Sequence, residues 1–222
     1  VRVALYLDED ALEEPGDLAG RLLRSQGHDV IPVVRTPDLR APEDVGLSVH
    51  MGSPSLPSDP AAAAMVDPER QIMKDALGTG VPVLGICFGA QLLAEVLGGT
   101  TGPAAHPENG LMEVESHHEL CPPGPWAQHH QHAFTVPERA VELGRSSAGP
   151  QGVLWDPPTG ARALGWQFHP EVTSAVIRRW GCNSATWADL VDPVLEVLLD
   201  EKSGAAERSG RLMADGIAWL LR

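Results

Sequence analysis

The sequence predicts an α/β protein, a mostly parallel central sheet between helical layers, with extra helices toward the C-terminal end. Three observations predict it. Through the first hundred residues short apolar runs alternate with segments of helical period, the signature of βαβ units. The run Val81–Ile86 is apolar nearly throughout, as a strand covered on both faces must be. After Phe168 helical spacing returns and persists.

The elements follow in order. Val1–Leu7 reads as a strand, and Asp17–Gln26 as a helix with Leu18, Leu22 and Leu23 near one stripe and Gly27 where a C-cap is expected. His28–Val34 is a second strand, and Val45–Met51 a weaker third that ends at Gly52-Ser53-Pro54. A helix is predicted over Pro68–Leu77, with Pro68 in its first turn, where a missing N–H costs nothing. The strand Val81–Ile86 leads to a helix over Ala90–Leu97 that stops at Gly98-Gly99. From Gly102 to Pro158 the periodicity fades into proline, glycine and histidine, which predicts loops and short antiparallel strands. Ala163–Phe168 is the last clear strand; helices follow over Val172–Trp180, Val191–Asp200 and Ala205–Leu221. No repeat or linker interrupts the chain, so residues 1–222 read as one domain, with 181–222 a helical C-terminal extension.

Charge narrows the function. Sixteen basic against 30 acidic residues give a net charge of -14, and Lys74 and Lys202 are the only lysines. Nucleic acid and anionic membrane surfaces require a basic face, so neither is an expected partner. No apolar stretch approaches the roughly 18 residues of a membrane span. Val1–Asp10 shows no basic segment of the secretory kind, which predicts a cytoplasmic address. Cys87, Cys121 and Cys182 are an odd number without regular spacing, so each reads as a free thiol.

The strongest local signal is Gly85-Ile86-Cys87-Phe88-Gly89-Ala90-Gln91, set between a buried strand and a helix. A nucleophile on a sharp strand-to-helix turn needs small flanking residues, because the backbone folds back on itself. The helix N-terminus beside it favours a thiolate. The bland alternative is a small buried hydrophobe in a core turn. A cysteine nucleophile needs a base, and the base an orienting acceptor. Trp166-Gln167-Phe168-His169-Pro170-Glu171 offers both at the end of another apolar strand. In a parallel sheet the strand ends share one rim, so His169 and Cys87 can meet, with Glu171 fixing the imidazole tautomer.

These residues resemble the class I glutamine amidotransferases, a family with a Cys-His-Glu triad. Gly85–Gln91 is similar to its nucleophile motif, and Gln167–Glu171 to the motif that completes the triad. Val1–Val34 resembles the opening βαβ, Gly52-Ser53-Pro54 the oxyanion loop, and His132–Pro137 the segment before the last strands. The likeness covers about residues 1–180. It implies a flavodoxin-like three-layer sandwich and hydrolysis of the side-chain amide of L-glutamine without a cofactor. By the same likeness Cys87 attacks the amide, His169 moves the proton and Glu171 orients His169. Gly52, Ser53 and Phe88 frame the oxyanion hole, Gln91 contacts the substrate, and His130 and His132 border it. Ser53 departs from the pattern, which has glycine there. If that peptide must reach φ > 0, serine hinders it and holds the loop inactive until a partner rearranges it.

A competing feature is the run His117, His118, His129, His130 and His132 with Glu115 and Glu119 nearby. It lacks Cys-x-x-Cys or His-Glu-x-x-His spacing, so no metal is expected there. Asp8, Glu9, Asp10, Glu13 and Glu14 read as a solvated loop. No phosphate-cradling loop is present, and the chain has no length for an attached ATP-dependent synthetase domain, so a separate acceptor protein is the expected consumer of ammonia. Two other readings stay open: an independent hydrolase of γ-glutamyl amides or peptides, and a catalytically weak homologue serving as a binding or regulatory subunit.

Overall fold

The computed structural model describes residues 1–222. Nine strands form one sheet: β1 (Arg2–Leu7), β2 (Asp29–Val34), β3 (Leu47–His50), β4 (Val83–Ile86), β5 (Thr101–Ser116), β6 (Gly124–Phe134), β7 (Val141–Ser146), β8 (Gly149–Trp155) and β9 (Ala163–Trp166). Their spatial order is β2-β1-β3-β4-β9-β8-β7-β5-β6. The first five in that order are parallel, and β9 passes the sheet to an antiparallel wing. Seven α-helices complete the fold: α1 (Asp17–Ser25), α2 (Ala63–Gly78), α3 (Phe88–Val96), α4 (Ser174–Asn183), α5 (Ala185–Ala188), α6 (Val191–Leu199) and α7 (Ala205–Leu220). This is the flavodoxin-like α/β sandwich. No helix is long and apolar enough to cross a membrane.

The alternation of side chains along a strand divides the core. On β1, Val3, Leu5 and Leu7 face α1 and α7, whereas Ala4 and Tyr6 pack with Leu39 on the opposite side. Leu212, Met213, Ile217 and Leu220 of α7 join Ala19 and Leu23 of α1 in the largest cluster. Each buried leucine, isoleucine or methionine among them contributes about 1.5–3 kcal/mol. Gly216 lets α7 lie flat on the sheet, since a Cβ there would come within 2.5 Å of the Trp166 ring. On the other face α2 and α3 cover Val83, Val153 and Ala163. A separate cluster around Trp187 joins α4, α5 and α6 to Ala127 of β6.

Two elements differ from the sequence-based expectation. Helix α2 starts at Ala63, ahead of Pro68, because a 3-10 turn over Pro60–Ala62 leads into it and the Asp59 carboxylate accepts the Ala61 N–H at 2.9 Å. Pro60 thus takes the early proline position, and alanine-rich helix absorbs Pro68 in its interior, where only the hydrogen bond to Ala64 is forgone. Within 102–158, β7 and β8 are the short antiparallel strands expected, but β5 and β6 form one long hairpin, paired from Thr101↔Phe134 to Val114↔Gly124. The register shifts between Pro103 and Glu108. That irregularity accommodates the prolines that conceal the strand's period.

Candidate active site

The C-terminal ends of β1, β3, β4 and β9 open on one cavity of about 400 Å³, lined by Asp8, Gly52, Ser53, Cys87, Gln91, His169 and Glu171 among others. Cys87 follows β4 directly and caps α3 with φ 52° and ψ -105°. Such a backbone is costly for any residue with a Cβ, of order 1–3 kcal/mol, and must be held from outside. The Cys87 N–H donates to the Trp166 carbonyl at 2.7 Å, and the Gln91 N–H to the Cys87 carbonyl at 3.0 Å. The flanking glycines are steric requirements. A Cβ on Gly85 would come within 2.5 Å of the Gly89 backbone, and one on Gly89 would overlap the His50 carbonyl.

His169 and Glu171 follow β9. The His169 Nδ1 meets Glu171 Oε1 at 2.8 Å, both residues are buried, and the Trp180 ring packs edge-on against the imidazole at 4.8 Å. His169 Nε2 has no hydrogen-bond partner. Gly52 packs over Cys87 and His169 together: a Cβ there would lie 3.1 Å from His169 Cε1 and 3.7 Å from Cys87 Cβ. Burial opposes a charged imidazole, but the carboxylate of Glu171 and then the charge of Cys87 outweigh it and hold His169 up to about 10. The imidazolium therefore persists at neutral pH beside the cysteine. Such an arrangement can pair a sulfur nucleophile with a ready proton donor.

Gln167 and Asp17, which the sequence does not single out, join Gln91 and the histidines in the site. Gln167 Nε2 approaches Cys87 Sγ at 3.7 Å, and its Oε1 accepts from Gln91 Nε2 at 3.1 Å. Gln91 Nε2 also donates to the His132 carbonyl at 3.0 Å. The His129 ring lies between Asn109, at 2.8 Å, and the rings of Trp180 and Trp187. Burial first, then the neighbouring His169 and His130, lower His129 to about 4, so it stands neutral. Asp17 lines the cavity with φ 48°, its Oδ1 buried without a partner. Burial and the nearby Glu171 raise its carboxyl to about 7.

The remaining predicted residues lie as follows. Phe88 opens α3, where its N–H has no intrahelical partner. Gly52 and Ser53 line the cavity without adopting a left-handed φ, and the Ser53 hydroxyl accepts the Ser55 N–H at 3.2 Å. The His130 ring is committed, with Nε2 at 3.1 Å from Glu108 and Nδ1 at 3.0 Å from the His132 carbonyl. His132 presents its backbone to Gln91, and its own ring reaches only Ser58, at 3.5 Å. His117 sits between Glu115 and Glu142, and His118 Nδ1 accepts the Leu120 N–H, both away from the cavity. No three His, Cys, Asp or Glu side chains gather where a metal ion could be held. Cys121 is buried and pushed up to about 12 by burial, and Cys182 is exposed. The acidic 8–14 segment is more ordered than a solvated loop: Asp8 pairs with buried Arg35 at 3.3 Å, Glu14 with Arg21 at 2.9 Å, and residues 9–11 form a 3-10 turn.

Known proteins resemble both sequence and fold. The chain is 31% identical to the glutamine-hydrolysing GMP synthase of Thermomicrobium roseum over 62% of its length, and 31% identical to that of Streptococcus mutans over 68%. It spans only 29% and 30% of those relatives. Among solved structures, a glutamine amidotransferase from Thermotoga maritima superposes with a TM-score of 0.80 at 24% identity, covering 96% of this chain and 98% of that one. One from Methylobacillus flagellatus gives 0.79 at 20% identity, covering 100% and 95%. The family model of glutamine amidotransferase class-I matches residues 51–179, more than half of the chain and the whole interval from the Gly52 loop past Glu171. With the cysteine turn, the histidine and the carboxylate all inside that interval, this chain belongs to the class I glutamine amidotransferase family.

Proposed function

We propose that this chain hydrolyses the side-chain amide of L-glutamine through Cys87 and hands the ammonia to an acceptor synthetase. The observation that carries the reading is the convergence of Cys87, on its strained turn, with His169 and Glu171 at one rim. The Cys87 thiolate attacks the amide carbon, and the carbonyl electron pair moves onto oxygen. N–H groups of Phe88 and Ser53 then face that oxyanion, each worth a factor of about 100 to 1,000. His169 gives its Nε2 proton to the nitrogen, the C–N bond breaks, and ammonia leaves a γ-glutamyl thioester. Water attacks the thioester while His169 recovers a proton, releasing glutamate and the thiolate. Glu171 keeps the imidazole charged and oriented. Gln91 and the 130–132 backbone border the substrate, with His130 acting through its hold on the His132 carbonyl. Every step uses these groups and water alone, with no cofactor.

The acceptor synthetase is supported by the named relatives, glutamine-hydrolysing GMP synthases of which this chain spans about three tenths. A second reading is favoured by the cavity, whose volume of about 400 Å³ leaves room for a γ-glutamyl compound longer than glutamine. Glutamate release from glutamine and from γ-glutamyl peptides, with and without acceptor synthetases, tests both. Turnover of glutamine that an acceptor accelerates and Cys87→Ser abolishes is expected. Faster turnover of a peptide favours the second reading, and glutamate release unaffected by Cys87→Ser would refute both.

A further inference from the structure

Arg35, outside every motif of the sequence, lies entirely inside the protein, its side chain 2% exposed. Its fork is divided among three tasks. Nε and Nη2 grip the Glu69 carboxylate at 2.6 and 3.2 Å. Nη2 also donates to the Met51 carbonyl at 2.8 Å, and Nη1 to the Gly52 carbonyl at 3.1 Å. The guanidinium lies over the Phe88 ring, 4.8 Å from its centroid. Glu69, fully buried on α2, is itself held by His50 Nδ1 at 2.8 Å, and His50 by Ser48 at 2.9 Å and by stacking on Tyr6. Asp8 supplies a second negative charge to Arg35 at 3.3 Å.

Two physical points give this network a purpose. A buried ion pair is a poor source of stability compared with apolar packing, because desolvating both charges offsets their attraction. All peptide bonds here are trans, and a trans peptide points its C=O and N–H to opposite edges. With the Gly52 oxygen turned to Arg35, the Ser53 N–H is turned away from Arg35. Gly52 lies against Cys87 and His169, and Ser53 lines the cavity they share.

We propose that Arg35 is the positioning residue of the oxyanion hole, its fork fixing the Gly52–Ser53 peptide so that the Ser53 N–H faces the site while its plane steadies Phe88, the other donor. The inference rests on the amide-hydrolysis reading above. It also accounts for a serine where the family pattern has glycine: the peptide is held from its carbonyl side, at ordinary φ, by a side chain elsewhere in the chain. Lysine could keep the charge opposite Glu69, but three donors on one nitrogen cannot reproduce the two-point grip on Glu69 together with both carbonyls.

The test uses the full chain with Arg35→Lys and, as a second variant that leaves the fork in place but loosens its anchor, Glu69→Gln. Three readouts are compared in chains of wild-type circular dichroism: kcat and KM for glutamine, the rate of Cys87 alkylation by iodoacetamide, and affinity for glutamate γ-semialdehyde, whose hemithioacetal places an oxygen in the hole. The expected result is a loss of about tenfold to hundredfold in kcat and in semialdehyde affinity for Arg35→Lys, with a smaller loss for Glu69→Gln. KM and alkylation, which need no oxyanion donor, should stay within about twofold. Wild-type kcat and semialdehyde affinity in either folded variant, or losses matched by equal losses in alkylation, would overturn the proposal. A wild-type chain that forms no semialdehyde adduct at Cys87 overturns the amide-hydrolysis reading, and this one with it.

Discussion

Replacing Glu171 with glutamine keeps the size of the side chain and removes only its charge. Burial alone would push His169 below its ordinary value of 6.5, yet it stands at about 10, with the Glu171 carboxylate as the larger cause and Cys87 as the lesser. A shift of that size corresponds to roughly 5 kcal/mol of preference for the imidazolium. Without the carboxylate charge, most of that preference disappears and the buried ring becomes neutral near pH 7. It then has no proton ready for the departing nitrogen, and the glutamine amide can also donate to Nδ1 and select the wrong tautomer. We expect kcat/KM to fall by about a hundredfold to ten-thousandfold, and His169→Ala to fall further. The sign of the pH dependence is fixed by the raised value: a proton-donating His169 persists up to about pH 10 in the wild type and is lost above it. In Glu171→Gln the alkaline limb of kcat/KM should move toward acid. Steady-state glutamate release from about pH 6 to about pH 10 measures both effects. A variant with wild-type kcat/KM and an unmoved alkaline limb would refute the reasoning.

Three further predictions concern the frame around that pair. Gly89→Ala should destabilise the protein by more than about 3 kcal/mol in denaturant melts, because its Cβ would overlap the His50 carbonyl, which cannot move aside; Gly210→Ala, with nothing within 4 Å, should stabilise α7 by about 0.5–1 kcal/mol. Ser53→Gly should leave basal turnover within about threefold, since Ser53 holds an ordinary φ; a rise near a hundredfold would show that the loop rests in an incompetent state that a partner must release. A diazoketone analogue of glutamine should label Cys87 alone. A simple maleimide should add exposed Cys182, and buried Cys121 only after denaturation, as peptide mass spectrometry would show.

The parallel half of the sheet is legible in the sequence because strands such as Val83–Ile86 are buried on both faces and must be apolar throughout. The β5–β6 hairpin is not, since Gly102, Pro103 and Pro107 interrupt the alternation that the fold accommodates by a register shift. The start of α2 is obscured by two prolines competing for one role, and the Asp59 side chain decides it for Pro60. Within the site, Cys87, His169 and Glu171 are legible because local chemistry demands neighbours close in sequence: glycines around a tight turn, a carboxylate two residues from its histidine. Arg35 and Trp180 carry no such local mark, and His129 is marked only as one of a run of histidines. Trp180 reaches the cavity through the docking of α4, and Arg35 reaches the Gly52 carbonyl behind it from the end of β2; a lone arginine after an apolar strand reads as a surface charge until Glu69 is placed beside it. Gln167 lies inside the Gln167–Glu171 motif, but only its 3.7 Å approach to Cys87 distinguishes it from a strand residue.

In the proposed reaction Cys87 carries the γ-glutamyl group during turnover. Mixing the chain with glutamine, quenching in acid within the first turnovers and measuring intact and peptide masses tests it most directly. A mass increase of one glutamyl acyl group is expected, located on Cys87, absent from Cys87→Ser and removed by mild hydroxylamine. Glutamate appearing at the wild-type rate while Cys87 stays unmodified, or an acyl group found on Cys121 or Cys182 instead, would contradict it.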